Sequence, residues 1–441
     1  MRVYSFPRGG LSYNDPTAPS ADSGVPAFLP SLSVIPLVQY PGEKVIPVVS
    51  PGDTVQEGIL VGRGDGPGSA NVHATVPGKV IRFVKWKGSE GQVNEALLIR
   101  MGGSFDRLGK EEVSVYKGDM KHSELIRTLS DCGIVEMEGA GRPVAEILTS
   151  FRNSPRPQTL VVRCVFDDPW LAADYVLLRE RLQAVVEGSF FIAGADAGIK
   201  HILFAVSRRE KKIGRAMLDT AAALAESSKY RIPLSMVLTG SRYPQRNGRE
   251  LEIALRNYEK KEGLDLGAFL VLGPATLAAV YDAVFYRRPI LERYVAVGGS
   301  AVRNPQVMRV RIGKRIGDLF EECGGFWDTP VRIGTGSPVS GKTIIELDEP
   351  VAKTGYAVFA MLKAQAGDFP KRDCISCGEC RSVCPVGLDP EELYKRKTSI
   401  LPGAVQDARE CHGCGCCEVV CPSRLPLADV ITGNTAEARI V

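Results

Sequence analysis

Nine of the twelve cysteines lie between Cys374 and Cys421, and eight of those nine repeat one spacing twice. The first copy is CISCGECRSVCP, with Cys374, Cys377, Cys380 and Cys384, and the second is CHGCGCCEVVCP, with Cys411, Cys414, Cys417 and Cys421. Both read CxxCxxCxxxCP. Three thiolates two residues apart wrap a tight loop round one corner of an iron–sulfur cube, while the fourth, on the helix that follows, faces away and ligates the other cluster of a pair. The spacing therefore predicts two [4Fe-4S] clusters. One is held by Cys374, Cys377, Cys380 and Cys421, the other by Cys411, Cys414, Cys417 and Cys384. Zinc also accepts CxxC pairs in tetrahedral sites, but it takes four ligands per ion and seldom uses the triple repeat. Cys416 leaves a question of register, because it could replace Cys417 in a slipped alignment; the spacing favours Cys417 and makes Cys416 a buried thiol. Two such clusters carry single electrons and call for no catalytic side chain.

The residues around the cysteines suit this chemistry. Pro385 and Pro422 stiffen the chain where it leaves each motif. Gly378, Gly413 and Gly415 let the backbone approach the sulfides and accept positive φ. Between the copies, LDPEELYKRK predicts a helix with Asp389 as N-cap and Pro390 at its first position. Cys132, Cys164 and Cys323 lie far from the motifs and read as small core residues.

With 441 residues, the chain has room for about three domains. A composition of 44% hydrophobic and 24% charged residues is that of ordinary globular protein, and a net charge of +4 is too small to argue for a nucleic-acid partner. The longest apolar stretch, Gly267 to Phe285, is broken by Pro274 and Asp282; it falls short of a membrane span and reads as a buried helix. The opening MRVYSFPRGG lacks the apolar core of a secretory signal, which points to the cytoplasm and makes partners the means of any membrane attachment. In that reducing compartment, crowded cysteines indicate metal rather than disulfides.

The elements that must position the cysteines follow from periodicity. Residues 1–30, rich in Gly and Pro, read as an extended arm. Residues 31–120 hold short β-rich runs (VIPVV, GILVG, GKVIRFV) separated by turns such as PGEK, SPGD and VPGK, a small β module. Its segment SANVHATVPGKVIRFV resembles a barrel-sandwich hybrid of the lipoyl or biotinyl type. The carrier settings DKA and MKM are missing, so Lys79 reads as a surface turn residue and His73 as an ordinary surface or core histidine. From 121 to 290, strand-like runs (TLVVRCVF, HILFAVS, LSMVLTG, AFLVLG) alternate with helix-like ones (AADYVLLRERLQAVVEG, KKIGRAMLDTAAALAESS, GRELEIALRNYEKK), which predicts an α/β domain with a mostly parallel sheet. Residues 291–368 begin with two strands and a helix closed by Gly-Gly and resemble a soluble-ligand-binding β-grasp module with a linker; residues 369–441 form the helical, ferredoxin-like cluster domain. The fold class is thus multidomain α/β.

On SFPRGG, LPSLSVIPLVQYPG, VHATVPGKV, the two cysteine motifs and CPSRLPL, nearly the whole chain resembles the C subunit of the Rnf complex, the membrane-bound ferredoxin:NAD oxidoreductase that couples electron flow to ion translocation. Its α/β domain is similar to the NADH- and FMN-binding subunit of respiratory complex I, where a glycine-rich loop cradles flavin and nucleotide phosphates. The matching loop here is GIVEMEGAGRP, Gly133 to Pro143. It keeps Gly139, Gly141 and Pro143 but carries Glu136 and Glu138 where the family would offer glycines or neutral residues. Ile147 stands at the place of a basic residue. In RCVFDDPWLAAD, Asp168, Pro169 and Asp174 keep the family pattern, while Arg163 and Phe166 replace Asn and Glu. Tyr243, Pro244 and Gln245 survive from YPQGGE, followed by RNGRE, and GSPVSG (Gly336 to Gly341) keeps a glycine-rich turn. The resemblance implies FMN and NADH as cofactors on Gly139, Gly141, Asp168 and Asp174. The departures imply a degenerate site.

Taken together, the expected role is an electron-carrying subunit, peripheral on the cytoplasmic face of the inner membrane. Its partners would be integral-membrane and flavoprotein subunits of an Rnf-type complex, with ferredoxin or NADH as redox donor. Within it the α/β domain is either a flavin/NADH input site or a scaffold. The alternatives are a soluble flavin-dependent reductase resembling a cobalamin reductase, and an adaptor whose clusters only hold the C-terminus together.

Overall fold

The short β-rich runs after the arm build two small antiparallel sheets. A computed structural model shows them; it describes residues 2–39, 43–66, 68–87, 93–111, 113–116, 118, 120–152, 158–195, 198–227, 232–366, 370–398 and 406–433. One sheet orders Leu32–Pro36, Val93–Met101, Gly78–Lys87 and Thr54–Val55; the other orders Val45–Pro47, Leu60–Gly64 and Val72–His73. They enclose Ile35, Val61, Val72, Val80, Leu97 and Ile99. Lys79, expected in a turn, is an exposed residue inside the Gly78–Lys87 strand, paired with Arg100, so the VPGK turn ends earlier than its residue types suggest. His73 is buried. The PGEK turn lies partly outside the described residues.

The α/β domain carries a fully parallel sheet in the order Val3–Tyr4, Leu234–Thr239, Ile199–Ser207, Gln158–Cys164, Ala268–Leu272. Parallel strands covered on both faces are apolar throughout, and all but one residue of Gln158–Cys164 is buried. Helices Ala172–Glu180, Leu182–Ala195, Lys211–Ser227, Gly248–Glu262 and Pro274–Tyr286 alternate with these strands. The apolar stretch read as one buried helix is instead the strand Ala268–Leu272, Gly273 and the helix Pro274–Tyr286. Pro274 starts that helix, at a position whose N–H would have no intrahelical partner anyway. Among the described residues no helix is long and apolar enough to cross a membrane.

The arm does more than extend. Val3–Tyr4 adds an edge strand to the α/β sheet, and Gly24–Pro26 adds one to the next sheet beside Gln306–Arg311. Between them, Gly10 N–H donates to the Val383 carbonyl at 2.9 Å. Gly9 has φ +63°, and a Cβ there would lie 2.5 Å from the Cys384 carbonyl oxygen. Only glycine fits so close a crossing. Arg242 donates to the carbonyls of Gly9 and Phe6 at 2.6 and 3.0 Å, with its guanidinium over the Phe6 ring. The SFPRGG segment thus packs the arm against the end of the first cysteine motif.

The fourth sheet is mixed, in the order Lys342–Thr343, Arg332–Thr335, Ala357–Met361, Glu292–Gly298, Gln306–Arg311, Gly24–Pro26. The helix Ile316–Glu322 is followed by Gly324 and Gly325, both at positive φ, as the Gly-Gly closure predicts. Beyond it, the described residues after 369 form only helices: Glu379–Ser382, Pro390–Thr398, Cys416–Val419 and Leu427–Thr432, with a short helical turn at Gln406–Glu410. Asp389 caps Pro390–Thr398 through the Glu392 N–H at 3.2 Å. Leu393, Leu425, Leu427 and Ile431 pack beneath the cysteines.

Candidate functional site

The two cysteine copies fold alike. Gly378 and Gly415 both take φ +77° and precede the helices Glu379–Ser382 and Cys416–Val419. Cys380 and Cys417 are therefore each the second residue of their helix, and Cys416 corresponds to Glu379. Ser376 and Gly413 repeat positive φ one turn earlier, as do Gly387 and Arg424 after the motifs. The Leu388 N–H donates to the Cys384 sulfur at 3.3 Å, and the Leu425 N–H to the Cys421 sulfur at 3.5 Å.

Cys374, Cys377, Cys380 and Cys421 line one cavity, closed by Tyr394 and Leu427. Cys384 turns to the other side, within electrostatic reach of Cys411, Cys416 and Cys417. Burial pushes the thiols of Cys380, Cys411 and Cys417 up, so free thiolates are disfavoured unless a bound cation offsets the desolvation. The fully buried Cys416 thiol donates to the Cys414 sulfur and draws that thiol below its ordinary range. Four thiols round one cavity, with the Leu425 amide aimed at the Cys421 sulfur, are compatible with an iron–sulfur cube.

The second copy is fastened to the α/β domain. The Tyr243 hydroxyl donates to the Cys414 carbonyl at 2.7 Å, His412 Nε2 lies 2.8 Å from Glu250 Oε1, and Arg249 pairs with Glu410. Glu250 is buried at the start of the helix Gly248–Glu262.

Of the four residues carried over for flavin and nucleotide, Asp168 and Gly139 line two adjoining cavities that share Ser340 and Tyr356, while Gly141 and Asp174 line neither. Asp168 lines a cavity beside the second cysteine loop with Glu138, Arg163, Asp167 and Arg246. Its carboxylate accepts from the Trp170 N–H at 2.9 Å and caps the short turn Pro169–Leu171. Gly139 lines a different cavity, with Gly336 and Gly341. Gly141 closes the turn at φ +79°. Asp174 is buried in an ion pair with Arg293 at 2.8 Å, with Arg246 at 3.7 Å. Asp167 and Arg246 are not singled out by the sequence. Arg246 N–H donates to Asp167 at 2.9 Å, and burial pushes the Asp167 carboxyl up to about 7. The one signal for them is the arginine ahead of NGRE, standing where the family has glycine.

A phosphate could find backbone amides at the Gly139–Gly141 turn and at the N-terminus of Pro274–Tyr286. Both places are filled. Glu138 accepts from the N–H groups of Ala275 and Thr276 at 2.5 and 3.2 Å, and from the Thr276 hydroxyl. Glu136 lies over Gly139, where a Cβ would overlap its carboxyl group, and it accepts from the Ala140 amide. These residues do not fit a flavin phosphate.

Comparison with known families assigns three of the units. Residues 6–104 match the RnfC barrel sandwich hybrid domain, 129–282 the Nuo51 FMN-binding domain and 294–343 the SLBB domain. The fold and these matches define a multidomain oxidoreductase subunit. The C subunit of an ion-translocating oxidoreductase complex from Rhodobacter capsulatus is 32% identical over 374 residues, 83% of this chain and 70% of its own length. The C subunit of the proton-translocating ferredoxin:NAD(+) oxidoreductase complex from Clostridium ljungdahlii is 28% identical over 88% of this chain and 83% of its own. Its counterpart in the Na(+)-translocating ferredoxin:NAD(+) oxidoreductase complex of Acetobacterium woodii is 27% identical over 82% and 80%. The chain belongs to the C-subunit family of Rnf-type ion-translocating oxidoreductase complexes. A chain of an NAD+-reducing [NiFe]-hydrogenase in the H2-reduced state aligns at 16% identity with a TM-score of 0.49, over 63% of this chain and about half (53%) of that one.

Proposed function

We propose that this chain is the electron-transferring member of an Rnf-type complex and holds two [4Fe-4S] clusters in residues 369–441. Cys374, Cys377, Cys380 and Cys421 hold one, and Cys411, Cys414, Cys417 and Cys384 the other. The observation that carries the reading is the exchange of fourth cysteines: Cys421 joins the cavity of the first copy while Cys384 faces the second. Bound there, each cluster supplies one-electron transfer at a potential tuned by burial and by hydrogen bonds to sulfur.

The chain's own residues set those conditions. Leu388 and Leu425 aim amides at sulfur, Tyr243 and Glu250 fix the second loop, and the arm braces the helix that ends at Ser382 through Val383. Cys377 is exposed and Ile375 beside it is 67% exposed, so the first set is the side offered to a redox partner. The units 31–120, 121–290 and 291–368 serve as scaffold and docking surface. We assign the protein to the cytoplasmic face of the inner membrane, held there by integral-membrane and flavoprotein subunits and supplied by a donor such as ferredoxin. The family membership supports this, together with the lack of any membrane-crossing helix among the described residues.

Iron and acid-labile sulfide analysis of anaerobically reconstituted protein tests the proposal. About eight of each per chain is expected. Cys421→Ser and Cys384→Ser should each damage the cluster of the opposite copy; bound zinc, or four irons, would refute the assignment.

A further inference from the structure

We infer that the α/β domain takes no flavin, because its own loop Gly133–Pro143 supplies the anions for both backbone-amide sites that a flavin phosphate would use. This goes against the FMN-binding description that residues 129–282 match. It is independent of the two-cluster reading, since iron content tests one and flavin titration the other.

The N-terminus of a helix presents unsatisfied N–H groups and the positive end of its dipole, so it collects an anion. At Pro274–Tyr286 that anion is the Glu138 carboxylate. It takes the N–H groups of Ala275 and Thr276 with one oxygen and the Thr276 hydroxyl with the other. The Thr276 oxygen in turn accepts the Met137 N–H at 2.9 Å, which closes a ring of hydrogen bonds between the loop and the helix. The open side of Gly273, which would admit a phosphate, is filled as well: a Cβ there would overlap the Glu138 carboxyl group. The second place, the turn at Gly139, is covered by Glu136 in the same manner.

The two arginines beside the loop are turned to its backbone. Arg163 and Arg246 reach the Glu138 carbonyl oxygen at 3.1 and 3.4 Å, and Arg246 also pairs with Asp174. Glu138 is tethered in the same molecule as the amides it binds, so it competes at an effective concentration that a free ligand cannot match in dilute solution. An incoming phosphate must displace it and then lie beside two carboxylates. The apparent affinity falls by the fraction of molecules with the site open.

The experiment titrates the full, cluster-loaded chain with FMN, read by quenching of flavin fluorescence, with inorganic phosphate as competitor. Wild-type protein should show no saturable quenching up to ~1 mM FMN. The double variant Glu136→Gly/Glu138→Gly, with circular dichroism and iron content like wild type, should bind FMN at least about tenfold tighter, and phosphate should compete. Glu138→Gln keeps the shape of the side chain, sheds its charge and should show a smaller increase; it decides the matter if the double variant fails to fold. Saturable binding of one FMN per wild-type chain at micromolar concentration would overturn the inference. So would a folded double variant, or Glu138→Gln where only that folds, binding FMN no better than wild type.

Discussion

The Tyr243 hydroxyl donates a 2.7 Å hydrogen bond to the Cys414 carbonyl oxygen. That bond joins a loop following a strand of the parallel sheet to the middle of the second cysteine motif, residues 171 positions apart in the chain. The same tyrosine bridges Leu11 of the arm through its backbone. One residue therefore ties together the arm, the α/β domain and the cysteine-bearing region.

Tyr243→Phe should lower stability by ~1 kcal/mol, the usual net value of one partly buried hydrogen bond, with no loss of iron. Urea denaturation followed by circular dichroism, alongside iron analysis, reads both quantities. A variant that folds normally but loses a cluster would show that the bond holds ligands rather than domains.

The matching of Cys417 to Cys380 and of Cys416 to Glu379 separates two neighbouring thiols. Cys417→Ser should remove about half the iron, whereas Cys416→Ser should retain nearly all of it. The opposite result would mean that the ligand register is slipped by one residue.

Gly9→Ala must place a methyl group 2.5 Å from the Cys384 carbonyl oxygen at a φ of +63°. The strain is on the order of 1–3 kcal/mol, and lifting the arm off the cysteine region relieves it. Limited proteolysis should then cut within the first twenty or so residues faster than in wild type. An unchanged cleavage rate would argue against the close crossing.

Asp167 gives the expected pH dependence. Burial raises its folded carboxyl to about 7, above its value in the unfolded chain, so between roughly pH 4 and 7 only the folded state keeps the proton. Unfolding then releases a proton, and the contribution of this residue to stability falls as pH rises through that window. Asp167→Asn should flatten this part of the profile and exceed wild type at pH 8 by up to about 4 kcal/mol. Urea midpoints from pH 5 to 8 measure the difference between the two proteins; parallel profiles would show that Asp167 ionises normally.

Lys353 donates to the carbonyls of Asn71 and Gly133 at 2.8 and 2.9 Å, and so joins the β module, the α/β domain and the segment after the β-grasp helix. Lys353→Met leaves two carbonyls short of a partner and should cost ~1–3 kcal/mol. Differential scanning calorimetry should show a lowered transition, with the first module separating from the rest; an unaltered melting profile would show that the three units are held together elsewhere.

The sequence alone determined whatever depends on neighbours close in the chain. Ligand spacing in CxxCxxCxxxCP, the Asp389 cap, the alternation of strands and helices and the burial of Cys132, Cys164 and Cys323 all rest on a single turn, a period or a residue type. Proline illustrates where that local reading fails. Pro274 reads locally as an interruption within a helix, yet it begins one, because the boundary depends on Ala268–Leu272 finding Gln158–Cys164 as its sheet neighbour. Lys79 differs from its expected turn for the same reason, since its strand exists only by pairing with residues 93–101 and 54–55. The tertiary structure decided the rest. It turned the arm into edge strands of two sheets and drew Gly9 against Cys384. It also paired Asp174 with Arg293 and Arg246. Glu138 is the sharpest case. Its sequence position shows only a negative charge beside a glycine loop, from which repulsion is the natural inference. The amides it satisfies lie 137 and 138 residues further along, and only the packing of the loop against the start of that helix turns a repelling charge into an occupying one.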